Sequence, residues 1–298
     1  MGIVETQLDT WSKKGAITQS RTTYSTIKNA LEAIGTRYSR KSFSTFLQGS
    51  YGNDTNIYAD SDVDVVIRLD SFYYRDLSGL PPEDQVTYNN NTSSSEYSFA
   101  KFKTDVTSQL VTKFGTDAKA GNKAIQIKAG GSRCKVDVLV CADFRKYLRY
   151  KSPSDNHYVE GITFWAADGT QIINYPNIHS SNLTKKHNAT NQWFKPTVRI
   201  FKNIRNKMIA DGYIEEGLAP SYFIEGMLFN VPNESFGKSY GATVTKAINW
   251  LYKADKSQLV CANNQYYLLN ETSPVTWRTK SYSNFISSIK NFGMIGNL

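Results

Sequence analysis

Asp62 and Asp64 are the residues of this sequence whose type and spacing most clearly suggest chemistry. They belong to the segment 62–67, whose β-branched content predicts a strand. Because successive side chains of a strand point to opposite faces, the two carboxylates project together while Val63 and Val65 point into the core. Two adjacent carboxylates repel each other, and a divalent cation removes that repulsion. Mg²⁺ prefers one or two carboxylates together with phosphate oxygens, so the pair predicts a metal site for phosphate chemistry.

A strand that ends in a tight turn precedes the aspartates. Residues 44–48 are rich in β-branched and aromatic side chains, and Gly49 and Ser50 follow them directly. Gly49 lets backbone N–H groups approach a ligand closely, and a short helix beginning near Ser50 would add free N–H groups and a hydroxyl. Such a turn suits the terminal phosphates of a nucleotide, so Gln48, Gly49 and Ser50 are predicted to bind one.

A third carboxylate is expected on a neighbouring strand, and the segment 134–140 provides it as Asp137. Alternation places Lys135, Asp137 and Leu139 on one face of that strand. The preceding residues 124–128 also alternate, so a hairpin fits this region. An Asp-x-Asp motif alone is usually a solvated face and a Gly-Ser pair is usually only a turn. Three carboxylates flanked by residues that favour burial instead predict metal ligands and catalytic groups, because burying an unpaired carboxylate is costly.

A Gly-Ser turn, an Asp-x-Asp strand and a later lone aspartate resemble the DNA polymerase β-like nucleotidyltransferase superfamily. The string FLQGSYGNDTNIYADSDVDVVI at 46–67 is most similar to the bacterial CD-NTases, which are relatives of cyclic GMP-AMP synthase and oligoadenylate synthase. The resemblance spans roughly residues 40–235. It implies an α+β fold: a polymerase β-like nucleotidyltransferase lobe with a mixed sheet and an N-terminal scaffold helix over 1–160, and a mainly helical, nucleotide-binding lobe over 161–298.

The same resemblance implies the reaction and the partners. Asp62 and Asp64 would hold two Mg²⁺ ions, with Mn²⁺ as an alternative, and Asp137 would hold one of them and act as general base. Nucleoside triphosphates would be joined into a cyclic di- or trinucleotide with release of pyrophosphate. The product would signal phage infection to a downstream effector protein. The three dispersed cysteines predict a cytoplasmic enzyme, since a disulfide framework is not expected. We expect a monomer that needs neither nucleic acid nor a membrane.

The segment 194–210 predicts a helix with a basic stripe. Lys195, Arg199 and Lys202 recur at helical spacing beside the apolar face. Like charges at this spacing destabilise a helix unless anions lie against them, which favours phosphate binding over a merely solvated face. By resemblance to cyclic GMP-AMP synthase-like enzymes, Lys202 and Ser221 would hold a triphosphate, and Tyr222 would stack on a base. Lys195 and Arg199 would support them.

Composition limits the classes of protein to which the chain can belong. Of its 298 residues, 40% are hydrophobic and 20% are charged, which is ordinary for a globular protein. Three cysteines and three histidines, none at zinc-site spacing, argue against a disulfide framework and against the zinc insert of cyclic GMP-AMP synthase. The net charge of +9 fits a polyanionic ligand, and two nucleoside triphosphates bring about eight negative charges. No apolar run is long enough to predict a membrane span.

The remaining segments predict elements of uneven clarity. Residues 5–34 indicate one helix or two in series, residues 98–114 indicate a helix, and an Asp168-Gly169 turn indicates a hairpin. Residues 88–95, with the string YNNNTSSS, are predicted to form a mobile loop. The polar stretch 176–192 has no apolar period and predicts no element. The residues after 192 are predicted to be mostly helical.

Two other functions share these residues. A linear nucleotidyltransferase acting on RNA ends or on a small-molecule hydroxyl would use the same three carboxylates, although no separate RNA-binding module is recognisable. A catalytically silent nucleic-acid-binding protein would use the basic surface, but it would not need Asp62, Asp64 and Asp137.

Overall fold

The computed structural model describes residues 3–15, 17–58 and 62–292. In these ranges the helices and strands follow one another as α1 (Glu5–Ser12), α2 (Thr18–Leu31), β1 (Phe43–Leu47), α3 (Gly49–Gly52), β2 (Val63–Asp76), α4 (Pro82–Asn90), α5 (Phe99–Phe114), β3 (Ala118–Ala120), β4 (Ile125–Ile127), β5 (Val136–Ser152), β6 (Asp155–Trp165), β7 (Gln171–Asn174), α6 (Pro176–Ala189), α7 (Phe194–Ala210), α8 (Ser221–Asn230), α9 (Tyr240–Lys253) and α10 (Thr279–Asn291). The α+β fold class is confirmed.

The chain divides into two compact units that alternate along the sequence. The helical unit comprises residues 1–17, 49–60 and 177–298, and the sheet unit comprises residues 18–48 and 61–176. Each unit is therefore assembled from separate segments, whereas the predicted lobes were consecutive with a boundary after residue 160. The assignment of functional lobes to 1–160 and 161–298 stays a prediction.

The sheet unit is built on a mixed sheet with the strand order β1-β2-β5-β4-β3. Its one parallel pair among the described strands is β2 with β5, and the later half of β5 pairs with β6, which in turn pairs with β7. The hairpin of β4 and β5 and the hairpin around Asp168 and Gly169 are both confirmed. Helices α2 and α5 pack against the sheet, and Ser98 caps α5 by accepting a hydrogen bond from the backbone N–H of Lys101.

Two segments differ from the prediction. The expected mobile loop over 88–95 is wrong in its first part, because α4 continues through Asn90 and buries Tyr88. The ring of Tyr88 lies 5.1 Å from that of Tyr147 and 4.9 Å from that of Tyr150, so packing of aromatic edges overrides the polar sequence. The stretch 176–192 contains helix α6. The sequence gives no apolar period for this helix, because few of its residues are buried.

The helical unit has its core along α7, whose predicted bounds of 194 and 210 are confirmed. The residues of its apolar stripe are fully buried: Phe194, Val198, Phe201, Ile204 and Met208. Helix α1 packs against α7, and α8, α9 and α10 complete the core. The predicted helical segment 5–34 is thus two helices, of which α1 belongs to this unit and α2 to the other.

Gly15 ties α1 to the segment that follows α3. Its backbone N–H donates to the carbonyl oxygen of Asn56 at 3.2 Å. A Cβ atom at position 15 would lie 2.4 Å from the carbonyl oxygen of Ile57 and 2.9 Å from the backbone nitrogen of Tyr58. Only glycine fits this close approach of two backbone segments.

Within the described ranges, no helix combines the length and the apolar character needed to cross a membrane.

Candidate active site

Asp64 and Asp137 lie side by side in the sheet unit. They are register partners on the parallel strands β2 and β5, whose backbones lie about 4.8 Å apart in such a pair. Register partners on neighbouring strands present their side chains on the same face, so the two carboxylates are brought together. The flanking Val63, Val65 and Val136 are fully buried, which fixes the direction of both aspartates.

Asp62 precedes β2 and its carboxylate makes a different contact. The Lys135 ammonium donates a hydrogen bond to Oδ2 of Asp62, and this contact raises the pKa of Lys135. Both partners are about half-exposed. The structure therefore brings Asp64 and Asp137 together and pairs Asp62 with Lys135, the residue directly before β5.

The donor set fits a hard divalent cation at Asp64 and Asp137. The Oδ1 atom of Asp137 is buried and accepts no hydrogen bond, although buried carboxylate oxygens normally have partners. Carboxylate oxygens are the protein ligands that Mg²⁺ prefers. No group of three or more His, Cys, Asp or Glu side chains in the described part of the chain is arranged to hold a single metal ion. Asp62 is hydrogen-bonded to Lys135 in this arrangement.

The predicted phosphate-binding turn has the expected backbone. Gly49 has a φ of +64°, the left-handed region that favours glycine, and it begins α3 directly after β1. The backbone N–H of Gln48 donates to the carbonyl oxygen of Asp64 at 3.0 Å, which ties the end of β1 to the carboxylate-bearing strand. The side-chain Oε1 of Gln48 is buried without a hydrogen-bond partner.

Lys202 is fully buried in the helical unit and does not lie on an open basic face. Its ammonium donates to Ser50 Oγ at 2.7 Å, to the carbonyl oxygen of Thr55 at 3.0 Å and to Thr55 Oγ1 at 3.1 Å. It also lies 3.4 Å from Oε1 of Glu225. Lys202 thus holds the Gly49–Gly52 turn and the residues after it, and Ser50 and Lys202 are brought together as one pair.

The rest of the predicted basic stripe is buried as well. Arg199 donates to the carbonyl oxygens of Ser12 at 2.5 Å and of Asp54 at 2.6 Å, and burial lowers its pKa to about 10. Lys195 lies 3.7 Å from the Asp54 carboxylate, and burial lowers its pKa. The positive charges of the stripe are therefore offset by carboxylates and backbone carbonyl groups of the protein itself. Arg199 fixes the backbone of the loop after α3, and Lys195 contacts the side chain of Asp54 in that loop.

Ser221 is the first residue of α8 and directly follows Pro220. Its Oγ accepts a hydrogen bond from Arg205 Nη1 at 3.2 Å, and Arg205 also donates to the carbonyl oxygen of Ala219 at 3.1 Å. Sequence reasoning missed Arg205, because it lies outside the basic stripe. Its position three residues after Lys202, on the adjoining helical row, was the available signal.

Tyr222 is stacked on a histidine. Its ring lies 4.8 Å from the ring of His179 with an interplanar angle of 18°, and its hydroxyl accepts from Asn263 Nδ2 at 3.1 Å. The His179 Nε2 atom lies 2.8 Å from Oε2 of Glu225. Neither His179 nor Glu225 was predicted. His179 lies in the polar stretch 176–192, which has no period, and no pattern in α8 distinguishes Glu225 from an ordinary helix residue.

Proteins that are similar to nearly the whole chain are named as synthases of cyclic nucleotides. It is 36% identical over 288 residues to "Cyclic UMP-AMP synthase" of Rhodothermus marinus, covering 96% of each sequence. The chain belongs to the CD-NTase family. This CD-NTase is also 35% identical to "Cyclic nucleotide synthase CdnE01" of Staphylococcus haemolyticus, covering 98% of the chain and 99% of the relative. The family model for the cGAS/DncV-like nucleotidyltransferase C-terminal helical domain matches residues 181–294.

Solved structures of other CD-NTases share the fold. The R. marinus CdnE c-UMP-AMP synthase, solved with Apcpp and Upnpp, has a TM-score of 0.88 and 34% identity, with 99% of both chains covered. The Elizabethkingia meningoseptica CdnE synthase, solved with GTP and Apcpp, has a TM-score of 0.78 and 29% identity over 98% of this CD-NTase and 99% of that chain.

Proposed function

We propose that this CD-NTase synthesises a cyclic di- or trinucleotide second messenger from nucleoside triphosphates, with release of pyrophosphate, for antiphage defence. The register pairing of Asp64 with Asp137 is the observation that carries this proposal. The names of the relatives support it, since all are synthases of cyclic nucleotides. Those names cover UMP-AMP, dipurine and dipyrimidine products, so they favour no base for this chain.

Asp64 and Asp137 would hold divalent metal. Asp62 would complete the site by giving up its ion pair with Lys135 and binding the metal. Two Mg²⁺ ions, or Mn²⁺, would supply electrostatic stabilisation of the phosphate charge and acidify the acceptor hydroxyl. Asp137 would accept the proton of that ribose hydroxyl. The freed oxygen attacks the donor's α-phosphorus, and the bond from that phosphorus to the bridging oxygen of pyrophosphate breaks in line. The same transfer is repeated, and the last transfer joins the two ends of the linear intermediate and closes the ring.

The proposed nucleotide-binding residues supply hydrogen bonds, charge and a stacking surface. The turn at Gln48, Gly49 and Ser50 would bind phosphate oxygens through backbone N–H groups and a hydroxyl. Lys202, behind Ser50, and Ser221, held by Arg205, would bind the triphosphate. Tyr222 would stack on a base, which is an interaction that tolerates any base identity.

Product analysis tests the reaction. The purified protein is incubated with all four nucleoside triphosphates and Mg²⁺, the mixture is treated with phosphatase, and the products are identified by mass spectrometry. We expect a phosphatase-resistant cyclic product without any polynucleotide, and none from the Asp64→Asn variant. Activity that appears only with added RNA, and lengthens it, would instead indicate a linear nucleotidyltransferase.

A further inference from the structure

Glu225 is a buried charge that the proposed reaction does not use. It lies in α8, is 2% exposed, and burial alone would raise its pKa. The nearby Lys202 ammonium and the hydrogen bonds from His179 and Thr55 nevertheless lower that pKa to about 2, so the group is ionised at neutral pH. Its four partners come from three segments of the helical unit: Asn53 Nδ2 at 3.0 Å, Thr55 Oγ1, His179 Nε2 at 2.8 Å and Lys202 Nζ at 3.4 Å.

The first role of this carboxylate concerns Lys202. A fully buried ammonium is stable only when an anion and several acceptors surround it. Glu225 is the carboxylate beside Lys202, and both groups also contact Thr55. With its charge balanced in this way, Lys202 can direct a donor to Ser50 Oγ at 2.7 Å. The position of Ser50 in the proposed phosphate-binding turn therefore depends on Glu225.

The second role concerns Tyr222. Because Glu225 is an acceptor only, His179 Nε2 carries the hydrogen between them, and Nδ1 is left as a buried atom without a hydrogen-bond partner. This contact fixes the plane of the imidazole. The Tyr222 ring lies nearly parallel to that plane, at 18°. Glu225 therefore orients the proposed base-stacking ring through His179.

We propose that Glu225 is a positioning residue for nucleotide binding. One carboxylate fixes the phosphate-binding pair of Ser50 and Lys202 and, through His179, the stacking surface of Tyr222. The inference rests on the proposed function and adds to it the residue that links phosphate recognition to base recognition. Loss of Glu225 then weakens both parts of nucleotide binding, and loss of His179 weakens only the base part.

Binding of two probes separates these parts. Inorganic triphosphate reports the phosphate contacts alone, and the non-hydrolysable ATP analogue Apcpp reports phosphate and base together, each measured by isothermal titration calorimetry. We expect Glu225→Gln to weaken both probes by about tenfold or more, the scale of a lost charge-assisted contact. We expect His179→Leu to leave triphosphate binding within about twofold and to weaken Apcpp by about fivefold or more.

A conservative variant and a control separate positioning from folding. His179→Phe keeps an aromatic partner for Tyr222 and should recover part of the Apcpp affinity that His179→Leu loses. Tyr282→Phe deletes a buried hydrogen bond to the carbonyl oxygen of Leu251, in the same unit, and should lower the melting temperature without changing either affinity. If Glu225→Gln does not fold, Asn53→Leu removes the hydrogen bond from Asn53 Nδ2 to the carboxylate without a charge change. This variant should weaken triphosphate binding in the same direction.

Three results would decide the matter. Glu225→Gln that binds triphosphate as the wild type does, with only a lower melting temperature, would overturn the positioning role. His179→Leu that weakens both probes equally would overturn the separate route to Tyr222. In the third case, the wild type binds triphosphate and Glu225→Gln does not, but the wild type forms no product from nucleoside triphosphates. The proposed reaction then fails, while the positioning role stands.

Discussion

Lys135 should compete with metal for Asp62, and this makes a testable prediction. Replacing Lys135 by Ala should lower the concentration of divalent metal that half-saturates the enzyme. The two side chains are 45% and 41% exposed, so their ion pair is screened and stabilises the structure by about 0.2–1 kcal/mol. The ion pair must break before Asp62 can bind metal, so its stabilisation is subtracted from the free energy of metal binding. Removing the pair should therefore raise metal affinity by about 1.4- to 5-fold.

Two measurements check this shift. Free Mn²⁺ is titrated by electron paramagnetic resonance to obtain the binding constant, and the initial rate of product formation is followed against Mg²⁺ at saturating nucleotide. The matched control is Lys28→Ala, which removes an ion pair with Glu32 whose side chains are 41% and 38% exposed in the same unit. It should leave both curves unchanged.

An unchanged or higher metal requirement in Lys135→Ala would refute the reasoning. The first result would mean that Asp62 contributes nothing to metal binding. The second would mean that the Lys135 ammonium itself supports the bound nucleotide.

The other predictions concern the carboxylates and the buried ion pair. Replacing Asp62 and Asp64 together by Asn should abolish turnover, and product formation near the wild-type rate would contradict this. The melting temperature in metal-free buffer should change little, because relief of the repulsion between Asp64 and Asp137 offsets the loss of the exposed Asp62–Lys135 ion pair. Lys202→Ala should weaken nucleotide binding by about 1.5–3 kcal/mol for every base alike, as measured by calorimetric titration. It should also lower the free energy of unfolding by about 3–5 kcal/mol, as measured by urea unfolding, because the buried Glu225 carboxylate loses its ion-pair partner. Because the folded-state pKa of Glu225 is depressed from 4.5 to about 2, its contribution to stability is present above pH 4.5 and lost as the pH falls toward 2, so urea unfolding of Glu225→Gln should depend less on pH in that window.

The sequence indicates the directions of Asp64 and Asp137, because strand geometry is local and periodic. It does not predict that Asp62 pairs with Lys135. Val63 and Val65 alternate with Asp64, and Val136 alternates with Asp137, so burial of the valines dictates where the aspartates point. The hairpin of β4 and β5 follows from the same alternation.

The sequence does not predict the surroundings of Lys202, because its partners are remote in the chain. Ser50 is 152 residues away and Thr55 is 147 residues away, and no local pattern joins them. A stripe of cations on a helix is the same in sequence whether it faces solvent, phosphate or protein carboxylates. Helix α6 was missed for a related reason, since only His179 and Leu183 of its residues are buried and no apolar period results.

The close approach at Gly15 has a consequence for mutational scanning of this enzyme. Any side chain there would have to displace the backbone at Ile57 and Tyr58, which continues the loop that Lys202 and Arg199 hold. Position 15 should therefore tolerate no substitution at all, although it is not one of the proposed nucleotide-binding residues. A depletion map of single variants would register this glycine as sharply as an aspartate of the reaction centre, and such a map alone would not separate the two.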